Sequence, residues 1–466
     1  MRPLCFGQKN RQFSEMEQVQ TILLSLMHLI PGANIGHFSS IVGGIYSIGG
    51  GGVTQLNISR YCSISYRSVQ RFMGSKIPWG NLLVETMKAH FSGKGGVCLL
   101  CVDNTVEDKA GKETFKLGHF FSSTAGKVIK SVSFGVLSLV NVKEEQSLIL
   151  DFEQMEQDKA KTKANKAKKA SKKEQGTKAP AGRPKGSKNK DKTEEAKQKE
   201  QSEALRVLDL MLTRTLPLLS SLLPAYLVAD GEYGNLSCLL LAQSHNLFLV
   251  SKLKCTSVLY YPPKAGTKQR KFGDRVDFAK LEGHKIDSKE EDSCVFTFFQ
   301  INKVRTTKIE TWMNVVIIRC DCRKTKKTVY VILFSNDLAL GGMDLVKYYS
   351  LRFQIEFNFR DAKQYFGLSD FKSIKPVQVT NAVGLSFFMV NLSKILIDHI
   401  KVEHLFEDVS ILDIKAYFRA VFYAERLKKY PDLNAGNILK PQNIGLLADV
   451  GGIHSPKKVQ QTKKAA

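Results

Sequence analysis

Nowhere in the 466 residues does an unbroken apolar run reach 18 side chains, so no bilayer-spanning helix is predicted. The opening segment, MRPLCFGQKNRQF, is too polar for a secretory signal. Acidic side chains are scarce: 44 Asp and Glu face 69 Lys and Arg, a formal charge of +25. That balance points to a polyanionic partner, nucleic acid first and an anionic membrane surface second. Cysteines number nine, an odd count, and most sit among apolar neighbours. They read as buried thiols in a reducing compartment, not as a disulfide framework. Zinc-type spacing is poorly placed, and a zinc centre pairing two cysteine pairs is a remote alternative. Cys98-x2-Cys101 falls inside one strand, where the two side chains face opposite ways, and Cys320-x-Cys322 is too short to form a site alone. His119 has no second histidine at ligand spacing and reads as structural or phosphate-facing.

The length allows a sizeable core and suggests two or three domains. Residues 1–90 read as a helical DNA-binding region. Within it, Val53 to Tyr61 and Ser65 to Phe72 form two short helices around a turn at Cys62–Ile64. The second would display Ser65, Tyr66, Arg67, Gln70 and Arg71, side chains suited to phosphates or base edges, in the manner of a helix-turn-helix. A small helical bundle with a basic surface is the alternative.

Residues 91–250 read as the first part of an α/β core. Val97 to Val102 is an apolar strand ending in Asp103, and Ala225 to Ala229 is another ending in Asp230. Between them, residues 158–200 carry 15 Lys and one Arg against six acids and almost no large apolar side chain, so they cannot build a core and read as a disordered basic loop. Gly182-Arg183-Pro184-Lys185-Gly186 resembles an AT-hook, with Arg183 and Lys185 as candidate minor-groove contacts. A generic polybasic tether is the bland reading.

Residues 251–335 read as a β-rich segment, with strands near Val295–Ile301, Trp312–Arg319 and Thr328–Phe334 and no clear amphipathic helix. Trp312 is expected in the core, with base stacking as the alternative. Residues 336–400 read as the last part of the core. Residues 401–466 read as a C-terminal helical region with a basic tail, a candidate for dimerisation.

The chemically loaded stretch is Tyr349 to Lys363, YSLRFQIEFNFRDAK, without Gly or Pro. Tyr349, Arg352, Glu356 and Lys363 recur at helical steps along one face; Leu351, Ile355, Phe359, Ala362 and Phe366 form an apolar stripe. One amphipathic helix is predicted. Two aspartates at strand ends and a glutamate on a helix would make an all-oxygen site for Mg²⁺, with Mn²⁺ as substitute. Two such ions about 4 Å apart can activate an attacking oxygen and stabilise the leaving one in phosphodiester cleavage.

The spacing Tyr349-x2-Arg352-x3-Glu356-x6-Lys363 resembles the tyrosine-arginine-glutamate-lysine signature of bacterial insertion-sequence transposases with a DDE core. The resemblance covers roughly residues 95–400. It implies a ribonuclease-H-like core with a β-rich insertion before the last catalytic helix. It implies a catalytic, metal-binding triad of Asp103, Asp230 and Glu356, with Tyr349, Arg352 and Lys363 on DNA phosphates. It implies cut-and-paste movement of a transposable element, by metal-dependent cleavage at the terminal inverted repeats and strand transfer into target DNA. A homodimeric synaptic complex on double-stranded DNA, near the nucleoid of a bacterial cytoplasm and away from membranes, completes that expectation. The competing readings are a transposase-derived DNA-binding protein that has lost strand transfer, and a ribonuclease-H-like RNA-processing nuclease.

Overall fold

The computed structural model describes residues 21–157, 202–219, 222, 224–263, 271–404, 409–428 and 430–431. The basic stretch 158–200, with Arg183 and Lys185, and the tail from residue 432 onward lie outside the described residues. In chain order the elements begin with helices α1 (Ile35–Ser47), α2 (Gln55–Tyr61), α3 (Tyr66–Gly74) and α4 (Trp79–Phe91). Strands β1 (Cys98–Asp108), β2 (Gly118–Ser122), β3 (Lys127–Asn141) and β4 (Gln146–Gln154) follow. Next come α5 (Glu203–Thr215), β5 (Tyr226–Ala229), α6 (Leu236–Ser244) and β6 (Phe248–Leu253). Then come β7 (Lys285–Glu291), β8 (Cys294–Val304), β9 (Met313–Cys322) and β10 (Lys327–Ser335). Helices α7 (Gly342–Leu351), α8 (Gln354–Tyr365), α9 (Pro376–His404) and α10 (Ile411–Leu427) are the last elements among the described residues. Two compact units result, one of residues 79–360 and one of residues 1–78 with 361–466.

The unit of residues 79–360 is built on a ten-stranded mixed sheet of order β2-β3-β1-β5-β6-β10-β9-β8-β7, with β4 also on β3. Among the described residues only β1–β5 and β5–β6 are parallel pairs. Side chains alternate across the sheet, as the period of two requires. Leu100, Val102, Leu227 and Leu249 face α4, α5 and α6 in one apolar cluster. Leu99, Cys101, Val228 and Val250 face the other way, with Leu345, Tyr348 and Leu351 of α7 in a second cluster. Both faces of the central strands are therefore covered, which is why they read as continuous apolar runs. Gly135 on β3 permits the close approach of α5: a Cβ there would stand 2.7 Å from Val207 Cγ1.

Two sequence readings need correction here. Strand β7, KIDSKEE, has every side chain exposed and no apolar alternation, so nothing in its pattern announces a strand; pairing with β8 at the sheet edge makes it one. Trp312 is only half-buried, just before β9, with the Arg305 guanidinium 4.4 Å from its ring, and is not a core residue.

Asp151 on β4 is buried and accepts from Arg214 Nε at 2.9 Å. Burial pushes its carboxyl up to about 6, with Arg214 opposing. The folded state thus holds this proton more tightly than the unfolded chain does. The stability that Asp151 contributes is present below about pH 4 and lost as pH rises to about 6. Asp151→Asn is therefore expected to gain roughly 2–3 kcal/mol relative to wild type between pH 4 and pH 6, and nothing further above it. Urea unfolding at pH 4, 5, 6 and 7 measures this; a difference independent of pH refutes it.

The other unit is helical in its described residues. Thr54 and Ser65 cap α2 and α3 by accepting from the amides of Asn57 and Ser68. Asn381 of α9 donates to the carbonyls of Met73 at 2.9 Å and Ser75 at 2.7 Å, closing the end of α3. Phe38, Phe72 and Phe388 pack together in its core. The expectation of no membrane span rests on unbroken apolar runs. Residues Pro376–Lys401 nonetheless reach the length and mean hydropathy of a span, at 1.4 over the best window, and 72% of that window is buried, as in a core helix.

Candidate active site

Strands β1 and β5 run parallel in the register Leu99↔Tyr226 to Val102↔Ala229. Asp103 and Asp230 each stand one residue beyond the last pair, on strands about 4.8 Å apart. Only Asp230 closes its strand. Asp103 lies in mid-strand, because β1 runs on to Asp108 against β3, with Asp103 opposite Val136. What ends at Asp103 is the partnership with β5, whose chain turns away at Asp230. The turn is held by Tyr233 N donating to Asp230 O at 2.9 Å and by Ser251 Oγ donating to the same carbonyl at 2.9 Å.

The single helix expected over Tyr349–Lys363 is two helices. Helix α7 ends at Leu351 and α8 begins at Gln354. The intervening Arg352 and Phe353 make tight bonds three residues apart: Arg352 N to Tyr349 O, Phe353 N to Ser350 O, and Ile355 N to Arg352 O at 3.1 Å. No Gly or Pro signals the break. Its cause is tertiary, for Arg352 is buried at 6% exposure and both terminal nitrogens of its fork are engaged. Nη1 donates to Asp103 Oδ2 at 2.7 Å and Nη2 to Glu356 Oε1 at 3.1 Å. The apolar stripe is buried as expected: Leu351, Ile355, Phe359, Ala362 and Phe366 are all below a tenth exposed.

Tyr349 Oη donates to Asp230 Oδ1 at 3.2 Å, and Lys252 Nζ lies 3.6 Å from the same oxygen. The structure thus brings Asp103, Asp230, Glu356, Tyr349 and Arg352 into one cluster. Lys363, half-buried two turns further along α8, belongs to the other unit. So do Arg67, Gln70 and Arg71, all exposed on α3. Lys252 was not legible as a site residue, because its place beside Asp230 comes from the β5–β6 pairing and not from any motif.

The electrostatics follow from the geometry. Burial raises the Asp103 carboxyl; Arg352 opposes, while Glu356 and Asp230 push it further up. Burial also pushes on Asp230, but the Gly231 amide, Arg352, Lys252 and Tyr349 outweigh it, and its carboxyl falls below the usual range. Burial and the neighbouring Asp230 push the Tyr349 hydroxyl up to about 12, so it stays a donor. Three carboxylates this close need a cation between them. Arg352 supplies it here. Among the described residues no three acidic, His or Cys groups converge on one point as ready-made metal ligands. The donor chemistry still fits a hard divalent ion: all oxygen, three carboxylates, on rigid elements. The Arg352 Nε is buried with no partner, leaving one donor of the fork for a ligand oxygen.

The chain matches the DDE superfamily endonuclease family over residues 42–294, more than half its length, and belongs to that family. The matched span takes in Asp103 and Asp230 and ends before Glu356. Among the curated proteins nothing matches. A solved structure similar to this one is the piggyBac transposase synaptic complex with hairpin DNA, determined by cryo-EM. The likeness covers 100% of this chain and 80% of that one at 8% identity and a TM-score of 0.36.

Proposed function

We propose that this DDE-family chain is a DNA transposase of the insertion-sequence type that carries the Tyr-Arg-Glu-Lys signature. It cleaves transposon ends and transfers them to target DNA, by cut and paste. The observation that carries this reading is the meeting of Arg352 with both Asp103 and Glu356, while Tyr349 reaches Asp230. Two members of a signature seen only as spacing in the sequence, Tyr349 and Arg352, touch the two aspartates that the same resemblance calls for. The ribonuclease-H-like core, the helix-turn-helix role of α2 and α3, and a homodimer on paired ends belong to the same proposal.

In it, Asp103, Asp230 and Glu356 hold Mg²⁺ or Mn²⁺, which supplies Lewis acidity and a more acidic water. Arg352 and Tyr349 keep the carboxylates aligned when no substrate is bound. They also offer phosphate oxygens the kinds of donor such groups take: a planar fork and a hydroxyl. Lys363 adds a point charge. The exposed Arg67, Gln70 and Arg71 grip the terminal repeat, and the polybasic stretch 158–200 adds a salt-sensitive, sequence-independent attraction.

The test is cleavage of a duplex carrying the DNA that flanks the reading frame, with Mg²⁺, Mn²⁺, Ca²⁺ or EDTA. End-specific nicks and joined products with Mg²⁺ or Mn²⁺ are expected, and none with EDTA. Binding of the ends without cleavage would leave a DNA-binding derivative instead. Cleavage of RNA but not of duplex ends would leave a ribonuclease.

A further inference from the structure

Eight cysteines lie among the described residues, all with free thiols, and only Cys98, Cys101 and Cys238 are buried. The expectation that most are buried therefore fails. Of the other five, three stand together where β8 begins and β9 ends. Cys294, the first residue of β8, is directly opposite Cys322, the last of β9, and Phe296 is opposite Cys320. Residues two apart on a strand share a face, as do directly opposed residues of an antiparallel pair. Cys294, Cys320 and Cys322 therefore present their thiols on the same face, each half-exposed.

The Cys294 thiol is close enough to those of Cys322 and Cys320 for each to shift its acidity. Directly opposed antiparallel residues have Cα atoms about 4.5–5.5 Å apart. That range lies inside the roughly 4.4–6.8 Å that a disulfide spans, so closure asks little of the backbone. The carboxylate and ammonium facing the pair from β7 are Glu291, opposite Cys294, and Lys289, and these two pair with each other at 3.0 Å.

We propose that Cys322 and Cys294 are a peroxide-reactive dithiol of the catalytic unit, closing reversibly into a cross-strand disulfide. The local chemistry separates the two roles. The Thr325 hydroxyl and amide, with the Cys294 thiol and the Lys324 amide, surround Cys322 with donor groups that favour its thiolate and hold it down to about 7. Cys294, beside Cys322, is pushed up to about 11. Cys322 is thus the thiolate that reacts first, and Cys294 is the thiol that resolves.

The oxidant is hydrogen peroxide. The Cys322 thiolate attacks one peroxide oxygen, the O–O bond breaks, and hydroxide leaves, giving a sulfenic acid on Cys322. The Cys294 sulfur then attacks that sulfur. The S–S bond forms, the S–O bond breaks, and water leaves with the Cys294 proton. The thiols lose two electrons and the peroxide gains them.

The experiment treats the full chain with one equivalent of hydrogen peroxide, caps free thiols with N-ethylmaleimide, and maps the peptides by mass spectrometry. A linked peptide joining residues 294 and 322, lighter by two hydrogens and restored by dithiothreitol, is expected. Cys255, exposed and without this arrangement, should stay alkylatable at the same dose. Cys322→Ser should abolish the reaction. Cys294→Ser should leave a sulfenic acid on Cys322 that dimedone traps, and Cys320→Ser should change neither outcome. Circular dichroism checks that each variant folds. Oxidation of Cys255 and Cys322 at equal rates, a link made only between molecules, or a Cys294–Cys322 link that survives in neither wild type nor Cys320→Ser would overturn the proposal.

Discussion

Arg352→Ala should unfold the unit of residues 79–360 more easily by about 3 kcal/mol, the lower end of the range for removing one partner of a buried ion pair. The guanidinium is the cation lodged between Asp103 and Glu356, and its side chain is only 8% exposed. Without it, Asp103, at 22% exposure and already raised by burial, faces two other carboxylates with no compensation. Glu356, at 40% exposure, is screened by water and contributes little to the loss. Arg352→Lys keeps the charge but cannot fork to both acids, so an intermediate loss is expected. If the three carboxylates share a divalent site, Mg²⁺ or Mn²⁺ should restore much of the alanine variant's thermal midpoint. At a hundred times its dissociation constant an ion contributes about 2.7 kcal/mol. Calorimetric scans with and without ion decide both points: a midpoint unmoved by the substitution removes Arg352 as the internal counter-ion, and a loss that no ion repairs removes the shared divalent site.

Glu356→Gln should lower end cleavage by roughly three orders of magnitude or more, the scale seen when one member of a catalytic set is removed. The amide is nearly isosteric, and its oxygen can still accept from Arg352 Nη2, so the fold and the affinity for end DNA should change little. Single-turnover cleavage and a gel-shift titration on the same duplex separate the two effects. Unchanged cleavage would refute the catalytic role of Glu356. Lost binding together with lost cleavage would make it a positioning residue for DNA. Asp103→Asn and Asp230→Asn should behave like Glu356→Gln in cleavage.

The candidate site was legible to the extent that short-range periodicity carries it. Apolar strands running into Asp103 and Asp230, and helical steps linking Tyr349, Arg352 and Glu356, are local patterns. They survive in the structure even where the elements differ: Asp103 turns out to be mid-strand and the helix is broken at Arg352. The break was invisible because its cause is a side chain drawn 249 positions across the chain to Asp103. Lys252 escaped notice because it reaches Asp230 only through sheet pairing. Strand β7 was unreadable for the opposite reason, since an edge strand exposed on all sides needs no apolar alternation.

Composition and local spacing, then, were enough to read a strongly basic α/β chain with carboxylates on strands and on a late helix, because charge balance and residue period are properties of the chain itself. Which oxygen meets which nitrogen was decided only by the fold. Strand order set Asp103 beside Asp230, burial closed Arg352 upon two acids, and antiparallel register laid Cys294 against Cys322. Such meetings join residues far apart in the chain, and no local pattern encodes them.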